Sequence, residues 1–446
     1  MDELAIFGGP PAMQISAPKA SALSQRAIDA LREAAERART DWSYVSALSG
    51  TGPVAALEAA VSEFVQARYG LAVSSGTAAL FLALAAAGVK QGDEVIVPAY
   101  SWPQTVAPVL HLGAKPVFAD SDPRRYTLSP PSVRERLTDR TVAMVAVHIY
   151  GQPADMPALT VIARERGITL IEDAAQAFGA RLNGRPVGSW GDVGCFSLGR
   201  DKPVSGGEGG LFVTSSRPFF ERAVALSQHP IRRRFETTIR GALGDFGYNF
   251  RIHPLACVIA RAEMEDAQAR QRVRADYWVR LSDALAHVPG VRPPEVAINC
   301  DHAFWRYCPT FVPEELADGK LSRSAFIEAL AAEGVPVYPD PVATSLEQRL
   351  RGCAHPVCRN AAERCRRTGL ALAPWIAERP DTISALRSAV EKVAAAAERL
   401  EETERRRARH VPLMSRSSCR RDGITTSVGI ESTEGTPLRT LAGSGR

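Results

Sequence analysis

Between residues 70 and 215, short uninterrupted apolar runs alternate with helical stretches, and this alternation constrains the fold more than any other feature of the chain. The runs are Leu71–Val73, Glu94–Pro98, Lys115–Asp120, Val142–Val147, Thr169–Asp173, Val193–Ser197 and Gly210–Thr214. A strand wetted on one face alternates apolar and polar residues. A strand covered on both faces stays apolar along its length, as in parallel sheets. Helical spacing fills several of the gaps: Ala78–Ala87 is apolar nearly all round, as a buried helix requires, and Met156–Arg166 follows the same period. The expectation is an α/β fold built on a largely parallel sheet with helices on both faces.

The flanks divide the rest. Residues 1–30 form an N-terminal segment broken by Gly8-Gly9-Pro10-Pro11, with helical spacing starting at Gln25 and running to about Arg39. A large domain is expected over 31–288. It includes a helix from Pro53 to about Tyr69 and a long one from Pro254 to Leu285, which stops near Pro289-Gly290. A smaller domain is expected over 289–400, with a strand-like Trp305–Val312 and helices at Arg323–Glu333 and Thr382–Leu400. From 401 to 446 the chain is rich in Arg, Ser, Thr and Gly and nearly free of aromatic residues, so a disordered tail is expected.

Composition excludes several function classes. No stretch of about eighteen uncharged apolar residues suits a membrane span. Met1-Asp2-Glu3-Leu4 lacks the basic and apolar regions of a secretory signal, so a cytoplasmic protein is expected. The net charge is +5, with nine Arg against six acidic residues from Glu401 onward, which makes no case for nucleic acid. The eight cysteines form no C-x-x-C pair, so no metal site and reduced thiols are expected.

Three segments carry chemistry. In Ser74-Ser75-Gly76-Thr77 a small-residue loop leaves a strand and opens a helix; such a helix end suits a phosphate, and equally the loop is a tight turn that needs Gly76. In Ile171-Glu172-Asp173-Ala174-Ala175-Gln176 a carboxylate stands at the carboxyl end of an apolar strand, where ligands bind in open parallel sheets. Buried there, it needs a partner such as a protonated pyridine nitrogen, unless it merely caps a helix. In Phe196–Gly210, Lys202 lies in a polar Gly-rich loop between two short strands, with Ser197 five residues before it. A Schiff-base amine must be reachable and partly deprotonated, which a cleft permits.

In this order and spacing the segments resemble the DegT/DnrJ/EryC1/StrS family of fold-type-I pyridoxal 5'-phosphate (PLP) enzymes, over about residues 5–400. The family patterns S-G-T-x-A-L, E-D-x-A-Q-A and F-S-x(4)-K-x(4)-G-E-G-G stand here as Ser75–Leu80, Glu172–Ala177 and Phe196–Gly210. Val97-Pro98-Ala99-Tyr100-Ser101-Trp102 and Gly247-Tyr248-Asn249-Phe250-Arg251 match two more family elements. The resemblance implies a mostly parallel seven-stranded sheet in the large domain and a smaller C-terminal α/β domain. It implies that Lys202 is the Schiff-base lysine and the proton carrier, that Asp173 pairs with the pyridinium nitrogen and that Gln176 lies near the ring hydroxyl. Trp102 then stacks on the ring, Gly76, Thr77 and Ser197 hold the phosphate, and Asn249 reaches it from the neighbouring subunit of a homodimer.

The implied reaction is amino transfer from glutamine or glutamate to a keto-cyclitol or keto-sugar, in antibiotic or other secondary-metabolite biosynthesis. Ser46–Gly52 and Trp102 resemble the cyclitol-directed members, and Tyr338-Pro339-Asp340-Pro341 lacks the histidine that nucleotide-sugar members carry nearby. Asp201, Arg200 and Pro203 depart from the common pattern around the lysine. Arg232-Arg233-Arg234 is either an anion-binding run or a solvated loop. Two alternatives stay open. One is elimination, epimerisation or cyclisation on the same cofactor, although dehydratase relatives replace the lysine by histidine. The other is a PLP-binding homologue without turnover.

Overall fold

The computed structural model describes residues 3–15, 23–239, 246–342, 344–352 and 357–410. The chain divides at Glu404/Arg405 into two units, and the first, Met1–Glu404, carries the features below apart from the last turns of the final helix.

All seven apolar runs are strands of one sheet: β1 (Tyr69–Val73), β2 (Glu94–Pro98), β3 (Lys115–Ala119), β4 (Thr141–Val147), β5 (Thr169–Asp173), β6 (Val193–Ser197) and β7 (Gly210–Thr214). Their spatial order is β1-β7-β6-β5-β4-β2-β3. Only β7 runs against its neighbours, pairing antiparallel with β1 and β6, while β2–β6 pair in parallel. The carboxyl ends of six strands therefore share one edge, together with the start of β7. Burial explains the apolar runs: every residue of β2 and β7 is buried, as is all of β5 after Thr169. The helix Gly76–Ala86 is buried over most of its surface, and Pro254–Leu285 spans 32 residues as read from its period.

The structure differs from expectation at two places. Trp305–Val312 is not a continuous strand. Phe304 has φ 44°, Tyr307 makes an isolated bridge to Leu372, and only Thr310–Phe311 pairs as a strand. The final helix is two, Ile383–Ala395 and Ala397–His410, so residues 401–410 are helical rather than irregular. Glu401 holds that turn, accepting from the N–H groups of Lys320 and Leu321, each at 3.0 Å. The remainder of the expected tail, from 411, lies outside the described residues. The N-terminal segment is anchored. Glu333 accepts from Ala5 N at 2.7 Å and from Ala12 N at 2.9 Å, and Leu4 and Met13 enter the apolar cluster of Phe326, Leu330 and Val393.

Among the described residues no helix is long and apolar enough to cross a membrane, and no group of three His, Cys, Asp or Glu is placed to hold a metal ion.

Candidate active site

The shared strand edge opens into a cavity of about 390 Å³. Five of the strands contribute through their carboxyl ends or the loops that follow: Ser75–Thr77 after β1, Trp102 and Thr105 after β2, Tyr150 after β4, Asp173 and Gln176 at β5, and Ser197 and Lys202 at β6. Trp305, Arg306 and Val342 close it from the C-terminal part of the chain. Ligands of open α/β sheets bind at this edge because the loops and helix N-termini converge there.

Seven of the eight sequence-predicted residues line this one cavity: Gly76, Thr77, Trp102, Asp173, Gln176, Ser197 and Lys202. Asn249 does not. It is exposed, in a segment whose Phe250 carbonyl accepts from Ser74 N at 2.8 Å, beside the end of β1. Its neighbours Tyr248 and Phe250 stack on each other at 5.1 Å.

The helix Gly76–Ala86 starts with Ser75 as its cap, whose Oγ accepts from Ala78 N at 3.0 Å. The first two N–H groups, of Gly76 and Thr77, have no intrahelical acceptor and face the cavity end of the helix. Backbone approach here is close. An added Cβ at Gly210 would stand 2.2 Å from the Ser75 carbonyl carbon, and one at Gly76 would stand 3.0 Å from Ser197 Cβ. Only glycine permits β7 and this loop to meet.

Asp173 is 6% exposed. Its Oδ2 accepts from the Thr105 hydroxyl at 2.9 Å and its Oδ1 from Ala175 N at 3.2 Å. Burial pushes its carboxyl above the usual range, against those hydrogen bonds and the Lys202 charge, which pull it down. Lys202 is partly buried, and burial lowers its amine below the ordinary lysine value; Asp173 opposes this and Arg306 adds to it. Asp201, the unexpected acid beside the lysine, has φ 63° and a side chain 69% exposed, 3.6 Å from Arg200. Its carboxylate pairs with Arg200 beside the cavity, and its charge opposes the burial-driven fall of the Lys202 value. Gln176 Oε1 accepts from Tyr150 N at 2.6 Å, which fixes its carbonyl end on the protein.

Arg232 belongs to neither expected role of the basic run. It lies in the helix Pro230–Glu236, is 2% exposed, and forks onto both carboxylate oxygens of Glu58 at 3.0 and 2.8 Å. A charge so deeply buried must be paired, and Glu58 supplies that pairing.

Sequence reasoning missed Thr105, Tyr150, Trp305 and Arg306. Arg306 gives a hydrogen bond to the Tyr338 hydroxyl at 2.6 Å, while its buried Nε has no partner among the described residues.

Sheet, cavity and lysine together define an aminotransferase-type α/β enzyme. The fold matches a solved aminotransferase from Psychrobacter cryohalolentis with a TM-score of 0.75 at 25% identity, covering 86% of this chain and 100% of that one. The chain belongs to the DegT/DnrJ/EryC1/StrS aminotransferase family, whose profile it matches over residues 32–373. It is 36% identical over 294 residues to a UDP-N-acetyl-3-dehydro-alpha-D-glucosamine 3-aminotransferase of Acidithiobacillus ferrooxidans, covering 64% of this chain and 74% of the relative. It is 34% identical over 342 residues to the L-glutamine:scyllo-inosose aminotransferase of Streptomyces griseus, covering 74% and 78%.

Proposed function

We propose that this aminotransferase holds pyridoxal 5'-phosphate on Lys202 and moves an amino group from glutamine or glutamate to a keto-cyclitol or keto-sugar. The observation that carries the reading is the convergence of a desolvated lysine, a buried carboxylate and a helix N-terminus on one cavity. Each fits one part of the group. Asp173, buried and with no cationic side chain in hydrogen-bond contact among the described residues, suits a pyridinium N–H. The N–H groups of Gly76 and Thr77, with Ser197, suit the phosphate. Trp102, 51% exposed on the cavity wall, is free to cover a ring face.

When bound, pyridoxal phosphate supplies an electron sink for carbon atoms bearing nitrogen. The chain's own contribution is orientation and proton handling. Thr105 fixes the Asp173 carboxylate, and Gln176, held in the cavity wall by Tyr150, would stand near the ring hydroxyl. Lys202, with its amine depressed by burial, takes up or releases a proton at Nζ more readily near neutrality than a surface lysine does. Arg306, whose guanidinium lines the cavity beside Trp305, suits the carboxylate of the amino donor.

For the acceptor, a cyclitol is favoured over a nucleotide-linked sugar. Asp340 of the Tyr338–Pro341 segment is 2% exposed and bonded to protein groups, so its carboxylate is not offered to a nucleotide. A homodimer is part of the proposal: exposed Asn249 lies near Tyr248, 54% exposed, and Phe246, 86% exposed, apolar surface that a second copy would cover. The domain limits 31–288 and 289–400 remain our reading of how the chain divides between cofactor binding and cavity closure.

Purified protein should show the visible band of bound pyridoxal phosphate, Lys202→Ala should lose it, and glutamine or glutamate should bleach it. A band that no amino donor bleaches would sink amino transfer while leaving the cofactor in place.

A further inference from the structure

Trp305 stands where four contacts meet, one of them the Arg306 guanidinium 4.5 Å from the centre of its ring. Its indole N–H donates to the carbonyl of Asp201, the left-handed residue before Lys202. The Lys202 ammonium lies 4.3 Å from the centre of its ring. The ring also stacks on Tyr150, with centroids 6.4 Å apart and planes inclined by 21°.

Tyr150 is itself held from two sides. Its N–H donates to Gln176, and its hydroxyl donates to Asp340 Oδ1 at 2.7 Å. Asp340 is locked by Arg364, whose guanidinium is 3.2 Å away and 1% exposed. A contiguous column thus runs from a buried ion pair in the C-terminal part, through two stacked aromatic rings, to the amine in the cavity.

We propose that Trp305 is the positioning residue for Lys202: the indole N–H pins the backbone before the lysine, and the ring face seats the ammonium. A lysine has four rotatable side-chain bonds and loses much freedom when it must act from one place. An aromatic face within about 6 Å of a cation attracts it without chemical competition for the amine. Such a seat gives the free amine a fixed resting place against the cavity wall. The other charged groups facing Lys202 are Asp173 from β5, Arg306 beside Trp305, and Arg200, Asp201 and Glu208 from its own loop. The inference rests on the reading that Lys202 is the reacting amine.

The test uses the full chain stripped of cofactor. Competitive labelling with acetic anhydride across pH reads Lys202 by mass spectrometry, with Lys320, whose side chain is 68% exposed, as internal reference. The ring face favours the charged amine, so Trp305→Leu should lower the labelling midpoint of Lys202 by about half a unit. Trp305→Phe keeps a face but loses the N–H donor. It should hold the midpoint near that of the unaltered chain and speed amide exchange in the peptide spanning 199–207. An unchanged or raised midpoint in Trp305→Leu, in protein that melts as the unaltered chain does, overturns the proposal, as does unchanged exchange in Trp305→Phe. Failure of the cofactor reading looks different: the visible band of the loaded protein would survive Lys202→Ala, whatever the labelling shows.

Discussion

The Thr105 hydroxyl donates to Oδ2 of Asp173 at 2.9 Å, and both side chains are buried. This bond orients the carboxylate and favours its charge, while burial opposes that charge. Thr105→Val should weaken cofactor binding by about tenfold, the size of one hydrogen bond to a charged group. Titrating the visible band with pyridoxal phosphate measures it.

The cost of burying Asp173 should appear in cofactor-free protein. Its folded carboxyl lies above the ordinary value of 3.8, so the folded state binds the proton more tightly than the unfolded one. That contribution is therefore present at low pH and lost as pH rises through 3.8 and the raised folded value. Asp173→Asn should stabilise the stripped protein at pH 7 by about 1 kcal/mol and lower turnover by about 100-fold or more. Thermal melts at several pH values and steady-state rates check the two halves.

Arg306 distinguishes donor from acceptor. Arg306→Gln should raise KM for glutamine or glutamate by about 10- to 100-fold, the worth of a charge-assisted hydrogen bond, and leave KM for the uncharged keto-acceptor nearly unchanged. Arg306→Lys should recover little, because a compact ammonium does not reproduce a planar fork.

Arg232 should behave as a structural residue. Arg232→Ala strands Glu58, whose Oε1 also accepts from Ala72 N at 2.8 Å, and should cost about 3–5 kcal/mol of stability. The paired change Glu58→Leu with Arg232→Leu should restore most of it. Substrate KM should stay constant in whatever fraction folds, which denaturant unfolding and kinetics on the same samples will read.

Asn249 gives a test across subunits. Lys202→Ala and Asn249→Ala chains, each weak alone, should regain activity when mixed and allowed to exchange, because one site of the hybrid then carries both native residues. Activity no greater than the sum of the parents would place Asn249 outside the partner's site.

What was legible follows from how locally each feature is encoded. The seven strands could be read because burial on both faces leaves uninterrupted apolar runs such as Val193–Ser197. The cavity residues Gly76, Asp173 and Lys202 could be read because each sits in a contiguous motif. Trp305, Arg306 and Tyr150 could not, since they reach the cavity through tertiary packing. Trp305 follows Phe304 at φ 44°, and Tyr150 has φ 56°, so neither shows a period. The helical stretch 401–410 was missed because its Glu- and Arg-rich sequence resembles a solvated tail. The bonds of Glu401 to Lys320 and Leu321, which anchor it, are invisible in sequence. The basic run misled for the converse reason: Glu58, which buries Arg232, lies 174 residues away.

The central claim is that Lys202 carries the cofactor. Borohydride reduction of the loaded protein, followed by peptide mass mapping, tests it most directly. The account predicts one phosphopyridoxyl group, on the peptide containing Lys202. An adduct on another lysine, or none on a protein that retains the visible band, would contradict it.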